Sequence, residues 1–93
     1  MVKHIVLFNV KEGEDKSCVA RLAADALEPL AGKIPGLNFV QVRLCYAGAD
    51  IALVCELDSK EAMDAYAVHP LHEEAKSHFF HLLDSRVAAD YEV

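Results

Sequence analysis

The chain is predicted to be an α+β protein in which one antiparallel sheet carries helices on one face. The first observation is the order of elements that hydrophobic periodicity indicates along the 93 residues, β-α-β-β-α(α)-β. This order is the ferredoxin-like pattern. The second observation is that several strand segments are apolar on both faces, whereas helices would cover only one. We therefore expect a homodimer whose open sheet faces pack together into a dimeric α/β barrel.

The length and charge of the chain limit the kinds of partner it can have. Residues 1–93 are expected to form one domain, and a hydrophobic fraction of 54% excludes disorder. A formal net charge of −6 with scattered basic residues argues against nucleic acid or an anionic membrane as the main partner. The short apolar start does not resemble a signal peptide, and the three cysteines are expected to be reduced. We therefore expect a cytoplasmic protein.

The first strand is predicted over residues 2–10, and a helix follows a charged loop. One face of the strand is apolar apart from a histidine: Val2, His4, Val6, Phe8 and Val10. Apolar residues then recur at helical spacing: Val19, Leu22, Ala23, Ala26, Leu27, Leu30 and Ala31. Asp15 or Ser17 is expected to cap this helix, and Gly32 to end it. Pro29 is expected to tighten its last turn, because proline lacks the N–H that a helix requires.

Strands over residues 37–46 and 51–57 are predicted to form a hairpin that turns around Gly48. One face of the first of these strands is expected to contain Val40, Val42, Leu44 and Tyr46, while Gln41 and Arg43 point the other way. The near-continuous apolar run of the second indicates burial on both faces. A last strand is predicted over residues 84–93.

Two short helices are predicted between the hairpin and the last strand. Asp58 and Glu61 resemble a capping box at the start of the first helix. That helix should end by His69, because the residue before a proline avoids helical geometry, and Pro70 suits the first position of the next helix. The stripe expected to be buried in the second helix is Leu71, Ala75, His78, Phe79 and Leu82. The residues expected to face outward are Glu73, Glu74, Lys76 and Ser77.

Four segments together resemble the stress-responsive A/B barrel (Dabb) family. They are the opening M-V-K-H-I-V-L-F, the I-P-G turn at 34–36, the L-D-S-K-E-A-M-D-A-Y-A-V-H-P-L-H segment and the closing D-Y-E-V. The resemblance covers the whole chain in the right order. It implies a ferredoxin-like subunit and a dimeric α/β barrel, which agrees with the strands that are apolar on both faces.

The resemblance also implies a candidate site. One activity in this family is that of a plant polyketide cyclase, which closes a linear polyketide by aldol condensation without a metal or organic cofactor. The positions of its catalytic histidines and tyrosine correspond to His4, Tyr66 and His72 here. Two further polar positions of that site are apolar in this chain, Leu27 and Ile51. The resemblance therefore implies a similar pocket with altered walls.

The functional hypothesis is a cofactor-free small-ligand site between the sheet and the helices. Its expected lining is His4, Val6, Phe8, Tyr66, His72 and Phe79. His72 would act as the general base, because an imidazole titrates near neutral pH, while His4 and Tyr66 orient or polarise the substrate. The expected ligand is a small aromatic or keto acid, and the reaction a cyclisation or isomerisation of a carbonyl compound.

Two other interpretations remain open. In the first, the protein is a non-catalytic stress-associated dimer whose histidines are structural, since a lone histidine on an apolar face is usually a hydrogen-bonded core residue. In the second, His69, His72 and Glu73 bind a metal, although Pro70 disturbs the helical spacing of such ligands. The acidic residues are interpreted as solvent-facing, with Asp58 and Glu61 in capping roles.

Overall fold

The computed structural model describes all residues from Met1 to Val93. Four strands form one sheet in the order β2-β3-β1-β4, and every neighbouring pair is antiparallel. The elements in chain order are β1 (Val2–Val10), α1 (Lys16–Leu27), a 3-10 turn (Glu28–Leu30), β2 (Leu37–Leu44), β3 (Ile51–Leu57), α2 (Lys60–Ala67), α3 (Pro70–Ser77), a second 3-10 turn (Phe80–Leu82) and β4 (Leu83–Glu92). The predicted ferredoxin-like fold is confirmed.

The ends of α1 follow from three residues. Asp15 is the residue that caps the start, because its Oδ1 accepts a hydrogen bond from the Cys18 N–H at 2.9 Å. The helix tightens into the 3-10 turn at Glu28–Leu30, which contains Pro29, as expected for a residue without an N–H. The chain then turns at Gly32, whose φ of +84° is readily adopted only by glycine.

The start of α2 corrects the predicted capping box. Ser59, and not Asp58, is the N-cap, since its Oγ accepts a hydrogen bond from the Ala62 N–H at 3.1 Å. Asp58 instead accepts a hydrogen bond from the Asn38 side chain at 2.7 Å, which ties the helix start to β2. A serine hydroxyl and an aspartate carboxylate cap equally well, so the sequence alone could not separate two adjacent candidates.

The helices cover one side of the sheet, which we call the helix-side face. The core is a single cluster of 20 buried apolar residues, and His4 is the one buried residue of polar type. In the strand register His4 lies opposite Cys55 of β3 and Asp90 of β4, so all three share the helix-side face. A buried histidine in an otherwise apolar core needs a partner for its ring N–H.

The other side of the sheet, which we call the open face, is not covered by any element of the chain. Its apolar side chains are Ile5, Leu7, Phe39, Ala52, Val54, Val87, Ala89 and Tyr91. Leu7 is 42% exposed and Val87 is 69% exposed. Strands with apolar residues on both faces were predicted, and the structure shows them.

None of the helices has the length and apolar character that crossing a membrane requires.

Five residues of the predicted apolar faces are exposed, among them Leu44 at 48% and Leu71 at 37%. Tyr46 is fully exposed because β2 ends at Leu44, before the turn begins. Leu22 is 43% exposed, so the buried stripe of α1 is narrower than its apolar pattern. His78 is exposed at the C-cap of α3, and the backbone leaves helical geometry at the next residue, Phe79, which breaks the assumed spacing.

Candidate functional site

A cavity of about 140 Å³ lies between the helix-side face and the helices. Its walls come from β1, β3, β4, α1, α2, α3 and the second 3-10 turn. The lining residues are His4, Val6, Phe8, Leu27, Leu53, Met63, Ala67, His72, Lys76, Phe79, Phe80 and Arg86. Five of the six residues predicted to line a pocket are among them, and Tyr66 is the sixth.

His4 is held in one orientation by a carboxylate on the neighbouring strand. It is 6% exposed, and its Nδ1 is hydrogen-bonded to Oδ1 of Asp90, which lies directly opposite in the register. An ionised carboxylate can only accept, so the hydrogen must be on Nδ1. In the neutral ring Nε2 is therefore free to accept a proton. Asp90 fixes both the ring orientation and the tautomer of a histidine that lines the cavity.

His72 reaches the same cavity from the first turn of α3. The break at His69 and Pro70 creates this turn: Pro70 starts the helix, and His69 Nδ1 accepts a hydrogen bond from the Leu71 N–H at 3.1 Å. His72 Nδ1 lies 3.4 Å from the Ala67 carbonyl oxygen, a long contact. Burial lowers the pKa of the His72 imidazole below its usual value, so the ring is neutral at pH 7 and able to take up a proton.

Tyr66 lies behind the two histidines rather than on the cavity surface. Its ring centre is 4.2 Å from that of His72 at an interplanar angle of 36°, and 6.3 Å from that of His4 in an edge arrangement. Tyr66 is completely buried, and its hydroxyl has no hydrogen-bond partner in the chain. Burial, together with the neighbouring Cys55 thiol, raises the pKa of Tyr66. The hydroxyl therefore stays protonated and can serve only as a neutral hydrogen-bonding group.

The apolar walls determine the size of the cavity. Phe8 and Phe79 are in edge contact, with ring centres 6.2 Å apart and an interplanar angle of 82°. Leu27, at a position that is polar in the cyclase site, lines the cavity. Ile51, at the other such position, is completely buried and does not line it. Of the two substituted positions, only Leu27 makes the wall of the cavity more apolar.

Sequence reasoning missed several residues of the site. Asp90 was interpreted as solvent-facing, and its side chain is 47% exposed, but its hydrogen bond to His4 was not predicted. Lys76 was expected to point outward, and Arg86 was not considered for the site. The signal for Asp90 was the alternation of the last strand, which puts Asp90 on the same face as Arg86 and Ala88. Using that signal required the register between β1 and β4, which the sequence does not provide.

The remaining reactive groups do not form a second centre. No group of three or more His, Cys, Asp or Glu side chains is arranged to hold a metal ion. The ring nitrogen of His69 that faces the chain already accepts the Leu71 hydrogen bond. Burial raises the pKa of the Cys55 thiol to about 12, so that thiol is protonated and unreactive at neutral pH.

Comparisons with known proteins identify the relatives of this chain. The family model described as the stress responsive A/B barrel domain matches residues 2–93. A dimeric protein of unknown function and ferredoxin-like fold from Bacteroides fragilis is 33% identical, covers 99% of this chain and 95% of its own, and superposes with a TM-score of 0.88. A dimeric ferredoxin-like protein from Thermobifida fusca is 27% identical, with coverages of 99% and 90% and a TM-score of 0.82. No protein of curated function matches the sequence.

Proposed function

This chain belongs to the stress responsive A/B barrel domain family, and from that premise we propose that it is a homodimer with a small-ligand site that performs cofactor-free acid–base chemistry on a carbonyl compound. One observation carries the proposal: His4, oriented by Asp90, and the neutral His72 line the same cavity. Two imidazoles at one apolar site can serve as a proton acceptor and a proton donor near neutral pH.

The proposed chemistry assigns a role to each group. His72 takes a proton from the carbon next to a carbonyl, and the electrons of that C–H bond move onto the carbonyl oxygen. His4 binds and polarises that oxygen when its Nε2 carries a proton, and the Asp90 carboxylate compensates the charge of the ring. Tyr66 supports both rings through its aromatic contacts. The intermediate then attacks a second carbonyl carbon in a cyclisation, or is reprotonated at another carbon in an isomerisation.

The volume of the cavity limits the ligand. At about 140 Å³ it is close to the roughly 150 Å³ apolar cavity that accommodates benzene in an engineered protein. Pockets for drug-sized ligands are larger, about 300–1,000 Å³. The reacting part of the ligand is therefore the size of one six-membered ring, which fits the small aromatic or keto acid expected from the sequence.

The dimer is part of the proposal. The apolar open face is the surface such an assembly would bury, and relatives from Bacteroides fragilis and Thermobifida fusca are described as dimeric. Because the cavity lies on the helix-side face, ligand binding and dimerisation use opposite sides of the sheet. A cytoplasmic location is likewise proposed, in keeping with three cysteines that are all free.

A non-catalytic role is the competing proposal, and one observation favours it. The contact of His72 with the Ala67 carbonyl and its stacking on Tyr66 join α2 to α3, as a structural histidine would. In that case His72 would contribute to stability alone. The protein would then act as a stress-associated dimer that binds other proteins.

A ligand screen followed by proton exchange separates the two proposals. Aromatic acids, β-keto acids and lactones would be screened by thermal shift, where a ligand at about 100 times its Kd adds roughly 2.7 kcal/mol to the free energy of unfolding. Any ligand found that has a hydrogen on the carbon next to its carbonyl group would then be tested by NMR for exchange of that hydrogen with D₂O. We expect wild type and the exposed control His81→Ala to accelerate exchange, and His72→Ala to lose the acceleration. Equal exchange in all three proteins, or none, would reject the catalytic proposal.

A further inference from the structure

The charge of the cavity lining is opposite to that of the protein. The chain contains 15 acidic and 9 basic residues, yet none of the residues that line the cavity is acidic. Lys76 and Arg86 both line it, in addition to His4 and His72. Asp90 pairs with His4 and Glu73 with Lys76, so the uncompensated positive charge of the lining is that of Arg86, and a cleft with apolar walls concentrates its potential.

Arg86 is the less expected of the two cations. It lies on the helix-side face of β4, directly opposite the buried Phe8 in the register. It forms no ion pair with an acidic residue and no side-chain hydrogen bond, although acidic residues are abundant in the chain. Its guanidinium carbon is 6.0 Å from the centre of the Phe80 ring. A guanidinium presents a planar set of donors that matches a carboxylate, and all of them are available here.

Lys76 brings a second positive charge to the same aromatic ring. Its Nζ is 5.2 Å from the centre of Phe80. It also forms an ion pair with Glu73, three residues earlier on α3, at 3.0 Å. Glu73 is exposed, and exposed ion pairs contribute little to stability, so a ligand could replace this partner at low cost. Phe80 thus positions two cations at the end of the cavity that reaches solvent.

We propose that Lys76 and Arg86 form a carboxylate-binding subsite at the solvent-exposed end of the cavity, which restricts its ligands to small organic acids. The inference rests on the proposed small-ligand function and names the substrate class. The apolar part of the ligand occupies the space beside Phe8 and Phe79, and its carboxylate faces the two cations. The anionic group is therefore bound outside the region where His4 and His72 act.

Two probes of the same shape and different charge test this subsite. The affinities of benzoate and of its neutral isostere benzamide would be measured by ligand-observed NMR titration on wild type, Arg86→Gln and Lys76→Gln. Arg21→Gln is the matched control, because Arg21 is an exposed arginine on α1 outside the cavity lining and its replacement removes the same charge. Circular dichroism would establish that all variants are folded.

We expect wild type to bind benzoate about tenfold more tightly than benzamide, because hydrogen bonds to charged groups are the stronger ones. Arg86→Gln and Lys76→Gln should each lower the affinity for benzoate several-fold and leave the affinity for benzamide unchanged. Arg21→Gln should change neither affinity. Equal affinity for both probes would overturn the subsite, and so would an equal loss of benzoate affinity in Arg21→Gln. Either result would leave the ligand cavity intact. Absence of binding by both probes at millimolar concentration would reject the ligand cavity and the subsite together.

Discussion

His4 and Asp90 occupy opposite positions on neighbouring antiparallel strands, and the imidazole of the first donates a hydrogen bond to the carboxylate of the second. The pair is separated by 86 positions in the sequence. It turns the one polar residue of an apolar core into an oriented ring with a defined tautomer. The same interaction therefore matters for folding and for the proposed chemistry.

Replacing Asp90 by alanine should destabilise the protein, because the buried Nδ1–H of His4 would lose its acceptor. Leaving a buried donor unpaired costs about 1–3 kcal/mol. Glu92→Ala is the control, since Glu92 lies on the same face of the same strand but is exposed and pairs only with Lys60. The free energy of unfolding of Glu92→Ala should fall by less than about 1 kcal/mol.

Urea denaturation at pH 7 would measure both free energies of unfolding, and ¹⁵N NMR of the ring would report the His4 tautomer. Equal destabilisation by the two variants, with the hydrogen still on Nδ1 in Asp90→Ala, would show that Asp90 does not hold the ring.

The half-buried His72 should make stability depend on pH in the acidic range. Burial lowers its pKa in the folded state, so below pH 6.5 the unfolded chain takes up a proton before the folded one does. The contribution of the neutral His72 ring to stability is therefore complete above pH 6.5, and it is lost as the pH falls toward the pKa of His72 in the folded state. The charge of Lys76 acts in the same direction as burial, while that of Glu73 opposes it.

His72→Gln removes this titration, so its stability should fall less than that of wild type between pH 7.5 and pH 5. The difference between the two urea-unfolding curves at each pH isolates the contribution of His72. His81→Gln, which changes an exposed histidine, should follow wild type. A constant difference between wild type and His72→Gln at every pH would contradict the lowered pKa.

The Tyr66 hydroxyl should contribute nothing to the stability of the ligand-free protein. It is completely buried, and its polar neighbour is the Cys55 thiol, a weak hydrogen-bonding group that compensates little of the cost of burying a hydroxyl. We expect Tyr66→Phe to have a Tm equal to or above that of wild type, and Tyr46→Phe, at a fully exposed tyrosine, to be neutral. A loss of more than about 1 kcal/mol in Tyr66→Phe would mean that the hydroxyl is hydrogen-bonded after all.

The fold could be predicted from the sequence because each element is specified locally. The two-residue period of residues 2–10, the helical stripe ending at Leu30 and the break at Pro70 are all signals within a few positions. The predictions of helix caps and of side-chain exposure were wrong where packing or small differences of geometry decide them. The Ser59 cap and the exposed His78 are examples, since each is decided by where one helix begins or ends.

The site was less predictable because it is assembled from distant parts of the chain. His4, Val6 and Phe8 were placed by the alternation of a single strand. Asp90 and Arg86 required the register of β4 against β1, which tertiary packing decides. Both side chains are also partly exposed, as is usual for charged residues in an edge strand, so composition alone gave no sign of their contacts with His4 and the cavity.

Gly36 should tolerate substitution less well than another glycine with the same backbone conformation. Gly36 and Gly48 have φ of +84° and +81°, so alanine is strained at both. Only at Gly36 would the new methyl group meet a neighbour, at 2.6 Å from the Cβ of Ala62 in α2. We expect Gly36→Ala to be destabilised by at least about 1 kcal/mol more than Gly48→Ala in urea. An equal loss of stability in the two variants would show that α2 shifts to accommodate the methyl group without an energetic cost.

The open face should control self-association. Leu7 of β1 lies between Ala52 of β3 and Val87 of β4 in the register, which places it within the apolar part of that face. In a two-fold dimer each substitution occurs twice in one interface, so Leu7→Lys would bury two charges without partners. Within a single subunit Leu7 is 42% exposed, so the subunit itself should remain folded.

We therefore expect wild type to sediment as a dimer at micromolar concentration and Leu7→Lys as a folded monomer. Val68→Lys is the control, since Val68 is 76% exposed at the end of α2, away from the sheet, and this variant should remain dimeric. A monomeric wild type would refute the dimer, and a dimeric Leu7→Lys would move the interface to another surface. Because the cavity lies on the helix-side face, the monomeric variant should still bind benzoate, which separates assembly from ligand binding.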